Sequence, residues 1–390
     1  MKVIFFHDGP IKKDEDNNYY GTAHNDDTFK RYYQIADELG VVIREVSVSK
    51  SEAEQKLSKI TVSPFEVVAC PNISSLKGIL LKEKKAKEII YKEIEKCDYV
   101  VARIPSMIGF IAIDYAIKLK KPYLVEVVTC PWDAFWNHSI KGKIVAPFMY
   151  KKTKDLVRNA EHVLYVTNEF LQKRYPTKGK SVNCSNVALK KFDNSTLENR
   201  IKKITNMNKD RRVIIGTTAA VDIRFKGQQY VIEALGKLKS QGYNNFEYHL
   251  VGGGDQKYLK NVAEKNGVTD RVKFLGSVQH NDVFKWLDGI DIYVQPSRQE
   301  GLPRALIEAM SKGLPAFGAR TAGIPELLEK EFVFSNSKNN LREICNILTS
   351  FDKETMLSQA KRNYEESKKY DSSLIEERRR NFFRLFKESY

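Results

Sequence analysis

Residues 297–328 read SRQEGLPRALIEAMSKGLPAFGARTAGIPELL, and they follow the β-branched run DIYVQPS at residues 291–297. This order predicts a strand, a tight loop and then an apolar helix, with Pro303 in the first helical turn, where proline is favoured. Glu300 precedes the helix and Glu308 lies inside it. Eight helical residues rise roughly 12 Å, so the two carboxylates would lie about a nucleoside diphosphate's length apart.

The chemistry of this loop suggests an anion between two hydroxylated groups. In open parallel sheets, ligands bind beyond the carboxyl ends of the strands, where the N–H groups at a helix start attract phosphate. The N–H groups of Gly301 and Leu302 would take that role here, and each carboxylate would accept hydrogen bonds from sugar hydroxyls. The stretch therefore predicts a nucleotide-sugar as the ligand.

The same alternation of strands and helices extends along nearly the whole chain. Short runs rich in β-branched residues predict strands, and amphipathic segments between them predict helices. The predicted strands are KVIFF, VVIREVSVS, FEVVAC, DYVVARIP, PYLVEVV and HVLYVTN, followed by RVIIGTT, FEYHLVGGG, VKFLGSV, DIYVQPS and PAFGAR. The predicted helices include residues 27–39, 82–96, 228–239, 255–266 and 304–312. Such alternation is typical of parallel sheets covered on both faces, so the predicted fold class is α/β.

A chain of 390 residues is long enough for two domains of ordinary size. A polar stretch rich in lysine and asparagine interrupts the alternation, and we interpret it as the boundary. The predicted divisions are a Rossmann-like domain at residues 1–190, a linker at 191–211, a second Rossmann-like domain at 212–370 and a terminal helix at 371–390.

Composition limits the function classes. The formal net charge of +16 favours nucleic acid, an anionic membrane or an anionic ligand as a partner. The five cysteines include no C-x-x-C pair and no histidine at metal-ligand spacing, so we expect neither a disulfide framework nor a zinc site. The start lacks a signal-peptide pattern, and no apolar run is long enough to span a bilayer. We therefore expect a cytoplasmic protein, soluble or peripheral.

The region after Glu300 carries a dense motif. Two glutamates are separated by seven residues, and an E-A-M segment, spaced Gly and Pro residues and a G-I-P-E segment follow. The motif consists of Glu300, Glu308, Ala309, Met310, Gly313, Pro315, Gly323, Ile324, Pro325 and Glu326. This pattern resembles that of family 4 glycosyltransferases of the GT-B fold, in which two Rossmann-like domains face each other across a cleft. The resemblance covers residues 212–329 clearly and the first 190 residues in outline.

The resemblance implies specific roles for the matching residues. Glu300 would contact the hydroxyls of the donor sugar near its anomeric carbon, and Glu308 would contact the ribose hydroxyls. Arg224 and Lys226, in IRFKGQQYVIEAL, would bind the donor diphosphate, and the turn at residues 276–278 would hold the nucleobase through its backbone. The terminal helix would pack back on the N-terminal domain.

The donor-side candidates combine the motif with the loop residues beside it. Gly253, in the G-G-G run after a predicted strand, fits either close approach of a ligand or a bare turn. The catalytic candidates are Glu300, Lys226 and Arg224, and the donor-binding candidates are Glu308, Gly301, Leu302, Pro303, Gly276, Val278 and Gly253.

The acceptor-side candidates lie in the first 190 residues. Gly21 is the glycine that stands where the family has a glycine pair, and Thr129 stands where many members have a histidine. His138 lies downstream of Thr129, and His7 directly follows the first predicted strand. Trp132 lies in the loop after a predicted strand, and either packing or stacking on a ligand would explain it.

A basic stretch at residues 141–154, KGKIVAPFMYKKTK, interleaves lysines with apolar residues. The pattern fits a surface helix that inserts into an anionic membrane interface, and it also fits the solvated face of a core helix. The lysines that would contact the membrane are Lys141, Lys143, Lys151, Lys152 and Lys154.

These features together predict a retaining glycosyltransferase of the hexosyltransferase type. It would move a sugar from a nucleotide-sugar to a glycan or lipid-linked acceptor in cell-surface polysaccharide biosynthesis, as a peripheral protein on the inner face of the cell membrane. We expect no metal and no other cofactor, because lysine, arginine and backbone N–H groups would carry the phosphate charge. The alternatives are a non-hydrolysing sugar-nucleotide epimerase of the same fold and a basic nucleic-acid-binding protein; we expect no nucleic-acid partner, because no nucleic-acid-binding module is recognised.

Overall fold

The structure is a computed structural model that describes residues 1–74, 76–137, 140–187, 189, 192–208 and 211–390. Its strands form two separate sheets, one from each half of the chain. The strands are β1 Lys2–Lys13, β2 Tyr19–Gly21, β3 Glu38–Ser47, β4 Ser58–Lys59, β5 Phe65–Ala69, β6 Tyr99–Ile104, β7 Tyr123–Val127, β8 His162–Tyr165, β9 Lys180–Asn183, β10 Val213–Thr218, β11 Phe246–Val251, β12 Val272–Gly276, β13 Ile292–Gln295, β14 Ala316–Ala319 and β15 Val333–Phe334.

Helices connect most of these strands. They are α1 Asp26–Phe29, α2 Lys50–Lys56, α3 Leu76–Lys96, α4 Met107–Lys118, α5 Pro131–Trp136, α6 Ile140–Asn159, α7 Phe170–Arg174, α8 Asn194–Thr205, α9 Gln228–Ser240, α10 Lys257–Lys265, α11 His280–Gly289, α12 Arg304–Met310, α13 Asn340–Ser350, α14 Lys353–Ser367 and α15 Ser372–Glu388. Short 3₁₀ turns occupy Lys30–Gln34, Arg224–Lys226, Thr269–Arg271, Ile324–Glu326, Lys330–Phe332 and Lys368–Tyr370.

The N-terminal sheet has the order β4-β2-β1-β6-β7-β8-β9, and β3 and β5 extend it beside β1. Its pairs are parallel except for β1 with β2 and β2 with β4. The C-terminal sheet has the order β12-β11-β10-β13-β14-β15 and is wholly parallel. The α/β prediction is therefore confirmed, and we refer to the two sheets with their helices as the N-terminal and C-terminal halves.

Every predicted strand is present, but the helix predicted at residues 27–39 is wrong in its extent. Helix is interrupted after Phe29 by the 3₁₀ turn, and β3 already begins at Glu38. The N–H groups of Asp37 and Glu38 donate to the Met1 carbonyl, which starts the parallel pairing of β3 with β1. Strand pairing therefore overrides the local amphipathic pattern at the end of this segment.

The predicted linker contains a helix that docks on the C-terminal half. Asp193 caps α8 by accepting from the Ser195 N–H at 2.9 Å. The buried Arg200 guanidinium donates to the carbonyls of Leu287 and Ile290 at 2.8 and 2.7 Å, next to the end of α11. The polar composition of this stretch is explained by these contacts with the C-terminal carbonyls of another helix.

The terminal helix α15 packs on the N-terminal half. Phe382, Phe383 and Phe386 are buried in the same apolar cluster as β1 and β3, and the Phe383 ring lies 6.2 Å from that of Tyr32. Arg379, 1% exposed, donates to the Ser185 carbonyl at 3.1 Å. The last residues of the chain are thus part of the core of its first half.

Among the described residues, no helix combines the length and apolarity that crossing a bilayer requires.

Candidate active site

The carboxyl ends of the two sheets face each other. The Thr129 hydroxyl, after β7, donates to the Glu300 carbonyl, after β13, at 3.0 Å. The Asn137 amide donates to the Arg298 carbonyl at 2.8 Å. Further along, the Glu326 carboxylate accepts from the backbone N–H groups of residues 168, 169 and 170, which follow β8, with distances of 2.7 and 3.1 Å to the first two. The cleft predicted between the halves is therefore confirmed.

On the C-terminal side, the turn that contains Lys226 is held tightly against the loop after β13. Gly227 has φ of +80°, and a Cβ there would lie 1.9 Å from the Pro296 carbonyl oxygen, so only glycine fits. The Arg298 N–H donates to the Phe225 carbonyl at 2.7 Å. These contacts bring together two loops that are more than seventy residues apart in the chain.

Lys226 and Glu300 form the centre of the site. The Lys226 Nζ lies 2.8 Å from Glu300 Oε1, and the Gln295 amide donates to the same oxygen at 3.1 Å. Both charged side chains are partly exposed, at 24% and 13%. An ion pair with this exposure remains accessible to a ligand. An incoming diphosphate could therefore bind the Lys226 ammonium, and sugar hydroxyls could bind the Glu300 carboxylate.

Tyr293 connects this pair to Glu308. Its hydroxyl donates to Gln295 Oε1 at 3.1 Å and accepts from the Thr218 N–H at 3.3 Å. Burial raises the pKa of Tyr293, and the negative charges of Glu308 and Glu300 raise it further. The two glutamates of the motif therefore act electrostatically on one buried phenol, although seven residues separate them. Gln295 and Tyr293 escaped the sequence analysis because they lie inside a predicted strand.

The start of α12 differs from the prediction in one detail. Pro303 is the N-cap residue rather than part of the first helical turn, and the helix itself has seven residues. Gly301 packs against the N-terminal half, since a Cβ there would lie 2.1 Å from the Val128 carbonyl oxygen. No acceptor for the N–H groups of Gly301 or Leu302 is found in the described part of the chain.

The loops after β10, β11 and β12 form the outer edge of the site. A Cβ on Gly253 would lie 2.5 Å from the Ser277 hydroxyl, so this glycine is explained by loop packing, and approach of a ligand to it stays a prediction. Gly276 has φ of +72° and ends β12, and Val278 is exposed two residues later. The Gly276 carbonyl accepts from the Gly252 N–H at 2.8 Å, and contact of this turn with a nucleobase stays a prediction.

Arg224 is placed differently from Lys226. Its guanidinium is exposed and lies 4.4 Å from the centre of the Tyr258 ring. In the structure Lys226, and not Arg224, contacts Glu300. A role for Arg224 at a diphosphate stays a prediction.

The acceptor-side candidates do not gather into one constellation. The His7 Nδ1 accepts from the Gly9 N–H at 2.7 Å, and burial, then the nearby His24 and Arg103, lower its pKa. A Cβ on Gly21 would lie 1.9 Å from the His24 carbonyl oxygen, so Gly21 is required by packing inside β2.

Two further acceptor-side candidates follow β7. The Trp132 ring is stacked on that of Trp136, with 5.0 Å between the ring centres, which favours the packing interpretation. Thr129 contacts the Glu300 loop through its hydroxyl. His138 lies outside the described residues.

Sequence reasoning missed a buried polar network in the N-terminal half. The Arg103 guanidinium pairs with Glu126 at 2.8 Å, and the Tyr32 hydroxyl donates to the same carboxylate at 3.0 Å. In the sequence, the one feature that distinguishes Arg103 is its position inside an otherwise apolar predicted strand. The Asp8 carboxylate accepts from the Met107 and Ile108 N–H groups at the start of α4, which occupies it structurally.

The basic stretch forms α6, and its exposed face carries apolar side chains. Ile140, Ile144 and Phe148 are 81%, 77% and 63% exposed and recur every four residues. Lys141, Lys143, Lys151 and Lys154 are exposed beside them.

Lys152 corrects the prediction that all five lysines face a membrane. Its ammonium lies 3.6 Å from Asp114 and over the Phe110 ring, both on α4. Met149, predicted as part of the apolar surface, is buried in the core.

No group of three or more potential metal ligands of the His, Cys, Asp and Glu types occurs among the residues that the structure describes.

Two parallel sheets whose carboxyl ends face each other, with a charged pair between them, define a two-domain enzyme of the GT-B class. Residues 198–364 match the family of glycosyl transferases group 1. Protein CapJ of Staphylococcus aureus is 34% identical over 339 residues, which cover 86% of this chain and 82% of CapJ. The chain therefore belongs to the group 1 glycosyltransferases.

Two other proteins resemble the chain. The amylovoran biosynthesis glycosyltransferase AmsK of Erwinia amylovora is 40% identical over 111 residues, 27% of each chain. The crystal structure of Anabaena Alr3699/HepE in complex with UDP has a TM-score of 0.64 and 17% identity, and it covers 97% of this chain and 98% of that one. This second likeness extends the GT-B fold over the whole length of the chain.

Proposed function

We propose that this glycosyltransferase takes a sugar from a nucleoside-diphosphate donor and transfers it with retention of configuration at the anomeric carbon. The observation that carries the proposal is the contact of Lys226 with Glu300 at 2.8 Å, at the carboxyl ends of β10 and β13 and beside Thr129 of the other half. The UDP bound to Anabaena HepE, a protein of the same fold, supports a nucleotide as the donor's leaving group.

The chemistry follows from the charges at this point. The bond between the anomeric carbon and the diphosphate oxygen breaks, and the electron pair goes to that oxygen. The acceptor hydroxyl forms the new bond to the anomeric carbon and gives its proton to the departing diphosphate. Lys226 would stabilise the charge that develops on the diphosphate, and Glu300, released from Lys226, would bind sugar hydroxyls. Glu308 would bind the ribose, since it lies inside α12, eight positions after Glu300.

Polysaccharide biosynthesis is the pathway class that we propose, because AmsK, named for amylovoran biosynthesis, is 40% identical to this chain over 111 residues. The acceptor would be a growing glycan or a lipid-linked saccharide bound by the N-terminal half.

A peripheral position on the inner face of the membrane is supported by α6. Its exposed Ile140, Ile144 and Phe148 would enter the acyl boundary of a bilayer, and the exposed lysines beside them complement anionic lipid headgroups.

The test is a mass-spectrometric screen of nucleotide-sugars with the purified full chain, with and without EDTA. We expect slow release of nucleoside diphosphate from one donor, unchanged by EDTA because protein cations carry the phosphate charge. As a control, Glu331→Gln, which changes an exposed glutamate of the C-terminal half, should release nucleoside diphosphate at the rate of the wild type. An epimerised nucleotide-sugar as the product would replace the proposal by the epimerase alternative, and loss of release in EDTA with recovery in magnesium would overturn metal independence.

A further inference from the structure

A cavity of about 360 Å³ lies between the two halves, beside the loop that carries Glu300. Arg174 of α7 lines it from the N-terminal half, and Arg298 and Arg320 line it from the C-terminal half. Trp136 and Asp133, both on α5, also line the cavity. Three guanidinium groups against one carboxyl make the cavity a cationic one.

Two of the three arginines lie against aromatic rings. The Arg174 guanidinium lies 5.4 Å from the centre of the Tyr150 ring, and that of Arg298 lies 4.2 Å from the centre of the Tyr230 ring. The Nε atoms of Arg174 and Arg298 are buried and have no hydrogen-bond partner. Within the described residues, none of the three forms an ion pair with a carboxylate at 4 Å or less.

Arg174 and Arg298 are half-buried and Arg320 is exposed, and buried guanidinium nitrogens without a carboxylate partner are characteristic of a site that receives an anion. Guanidinium groups fixed on aromatic rings present planar donors that match the oxygens of a phosphate. Asp133, the carboxyl in the same wall, is itself disfavoured as an anion there, because burial raises its pKa.

The position of the cavity relates it to two features already described. Arg298 is two residues from Glu300, and its carbonyl accepts from Asn137 of the opposite half, so the cavity lies beside the loop that joins the two halves. On the other side, Trp136 is half-exposed, and its ring lies 5.6 Å from the ammonium of Lys143 on α6. Trp136 thus contacts both the cavity and the basic face of α6.

We propose that this cavity binds the phosphate or diphosphate group of a lipid-linked acceptor, whose chain leaves along α6 towards the bilayer. The inference rests on the proposed function and adds the acceptor class and its anchoring residues. The phosphate would be fixed by Arg174, Arg298 and Arg320, which places the first sugar attached to it next to Glu300. A bulk lipid headgroup is the less suitable ligand, because residues of both halves enclose the cavity whereas the lysines of α6 are exposed.

Inorganic pyrophosphate and farnesyl diphosphate are the probes, measured by calorimetric titration of the full chain. Because pyrophosphate would also bind at the donor site, Lys226→Gln serves as the parent, and its own loss of nucleoside diphosphate binding tests the proposed function separately. Adding Arg174→Gln and Arg320→Gln to this parent should weaken pyrophosphate binding by about tenfold or more, because charge-assisted bonds are lost. Lys173→Gln, on the same helix but exposed and facing a neighbouring cavity, should change binding by less than about twofold.

Each result decides the proposal. Binding within about twofold of the parent in the double arginine variant, or no pyrophosphate binding to the parent at all, would overturn it. Because Arg174 packs on aromatic rings, Arg320→Gln alone, at an exposed position, repeats the measurement in a variant that should fold normally.

Two further measurements identify the source of the phosphate. Farnesyl diphosphate should bind more tightly than pyrophosphate, and Phe148→Gln should remove that gain. Sedimentation with vesicles of phosphatidylcholine and phosphatidylglycerol should be unaffected by the arginine substitutions. If these substitutions released the protein from such vesicles, the cavity would bind bulk lipid and the acceptor assignment would be wrong.

Discussion

The two halves have related sheets but use the polar residues near their strands in opposite ways. In the C-terminal half, Lys226 and Glu300 meet each other in a partly exposed pair that a ligand can separate. In the N-terminal half, the polar groups in the middle of β1, where its register with β3 shifts between Phe6 and Pro10, are occupied internally, His7 by the Gly9 N–H and Asp8 by the N–H groups that begin α4. The comparison suggests that the donor is bound by strand-end charges and the acceptor by surfaces further out, on α5, α6 and α7.

The largest expected effect tests what holds the N-terminal half together. Deleting residues 371–390 removes Phe382, Phe383 and Phe386 from its core, at a cost of about 5–9 kcal/mol from apolar burial alone. We expect the N-terminal half of the shortened chain to unfold at a much lower temperature. Phe383→Ala, which keeps the helix, should lower the free energy of unfolding by about 3–5 kcal/mol. Calorimetric melting measures both, with the exposed Lys387→Ala as the control. Unchanged melting and unchanged donor affinity after the deletion would contradict the assigned role of α15.

The second prediction concerns the charged pair of the C-terminal half. Glu300→Gln should lower turnover by about 10²–10³, because its contacts strengthen where charge develops in the transition state. Binding of the free nucleoside diphosphate should change far less. Saturation kinetics beside calorimetric nucleotide titration separates the two quantities, and near-wild-type turnover would remove the central claim for this site.

Glu308 should show the reverse pattern. As a ribose ligand it contributes to ground-state binding, so Glu308→Gln should weaken nucleoside diphosphate affinity by about 1–3 kcal/mol, with a smaller effect on turnover at saturation. The same titration measures it. Equal losses of turnover in the two glutamate variants would mean that their roles are not separated as proposed.

Sequence and structure agree best for the features that a local sequence pattern records. The strands of both sheets and the Glu300 motif were read from local patterns, whereas the contact of Lys226 with Glu300 depends on the close approach of Gly227 to Pro296, which no local pattern records. Likewise, the lysine pattern of α6 predicted a helix, but only packing on α4 shows that Lys152 is paired there.

Low pH should destabilise the N-terminal half, which contains the buried His24. Burial, and then Arg103, lowers the pKa of His24 from 6.5 to about 3 in the folded chain, whereas the unfolded chain protonates near 6.5. The stability associated with neutral His24 is complete above pH 6.5 and decreases as the pH falls towards 3, by about 2 kcal/mol at pH 5. Denaturant unfolding at pH 7 and pH 5 should show a loss that is about 2 kcal/mol larger in the wild type than in His24→Gln, where His7 still contributes because burial lowers its pKa too. An equal loss in both would exclude His24 as a cause.

The smallest effects concern the surface of α6. Replacing Lys141, Lys143 or Lys151 singly by Gln should weaken binding to anionic vesicles by about 1 kcal/mol each, and added salt should weaken it further. Lys152→Gln is the matched control, because its ammonium is already paired with Asp114. If Lys152→Gln and Lys151→Gln reduced co-sedimentation equally, or neither did, α6 would be better described as a solvated face.

The Glu326 carboxylate joins the two halves by binding main-chain N–H groups of the N-terminal half. Its carboxylate accepts from the N–H groups of residues 168, 169 and 170, and every residue except proline offers that group whatever its side chain. The side chains at these positions can therefore change during evolution without loss of the contact. A lineage could alter the surface around α7, and with it the acceptor that is recognised, while the donor half keeps its docking geometry.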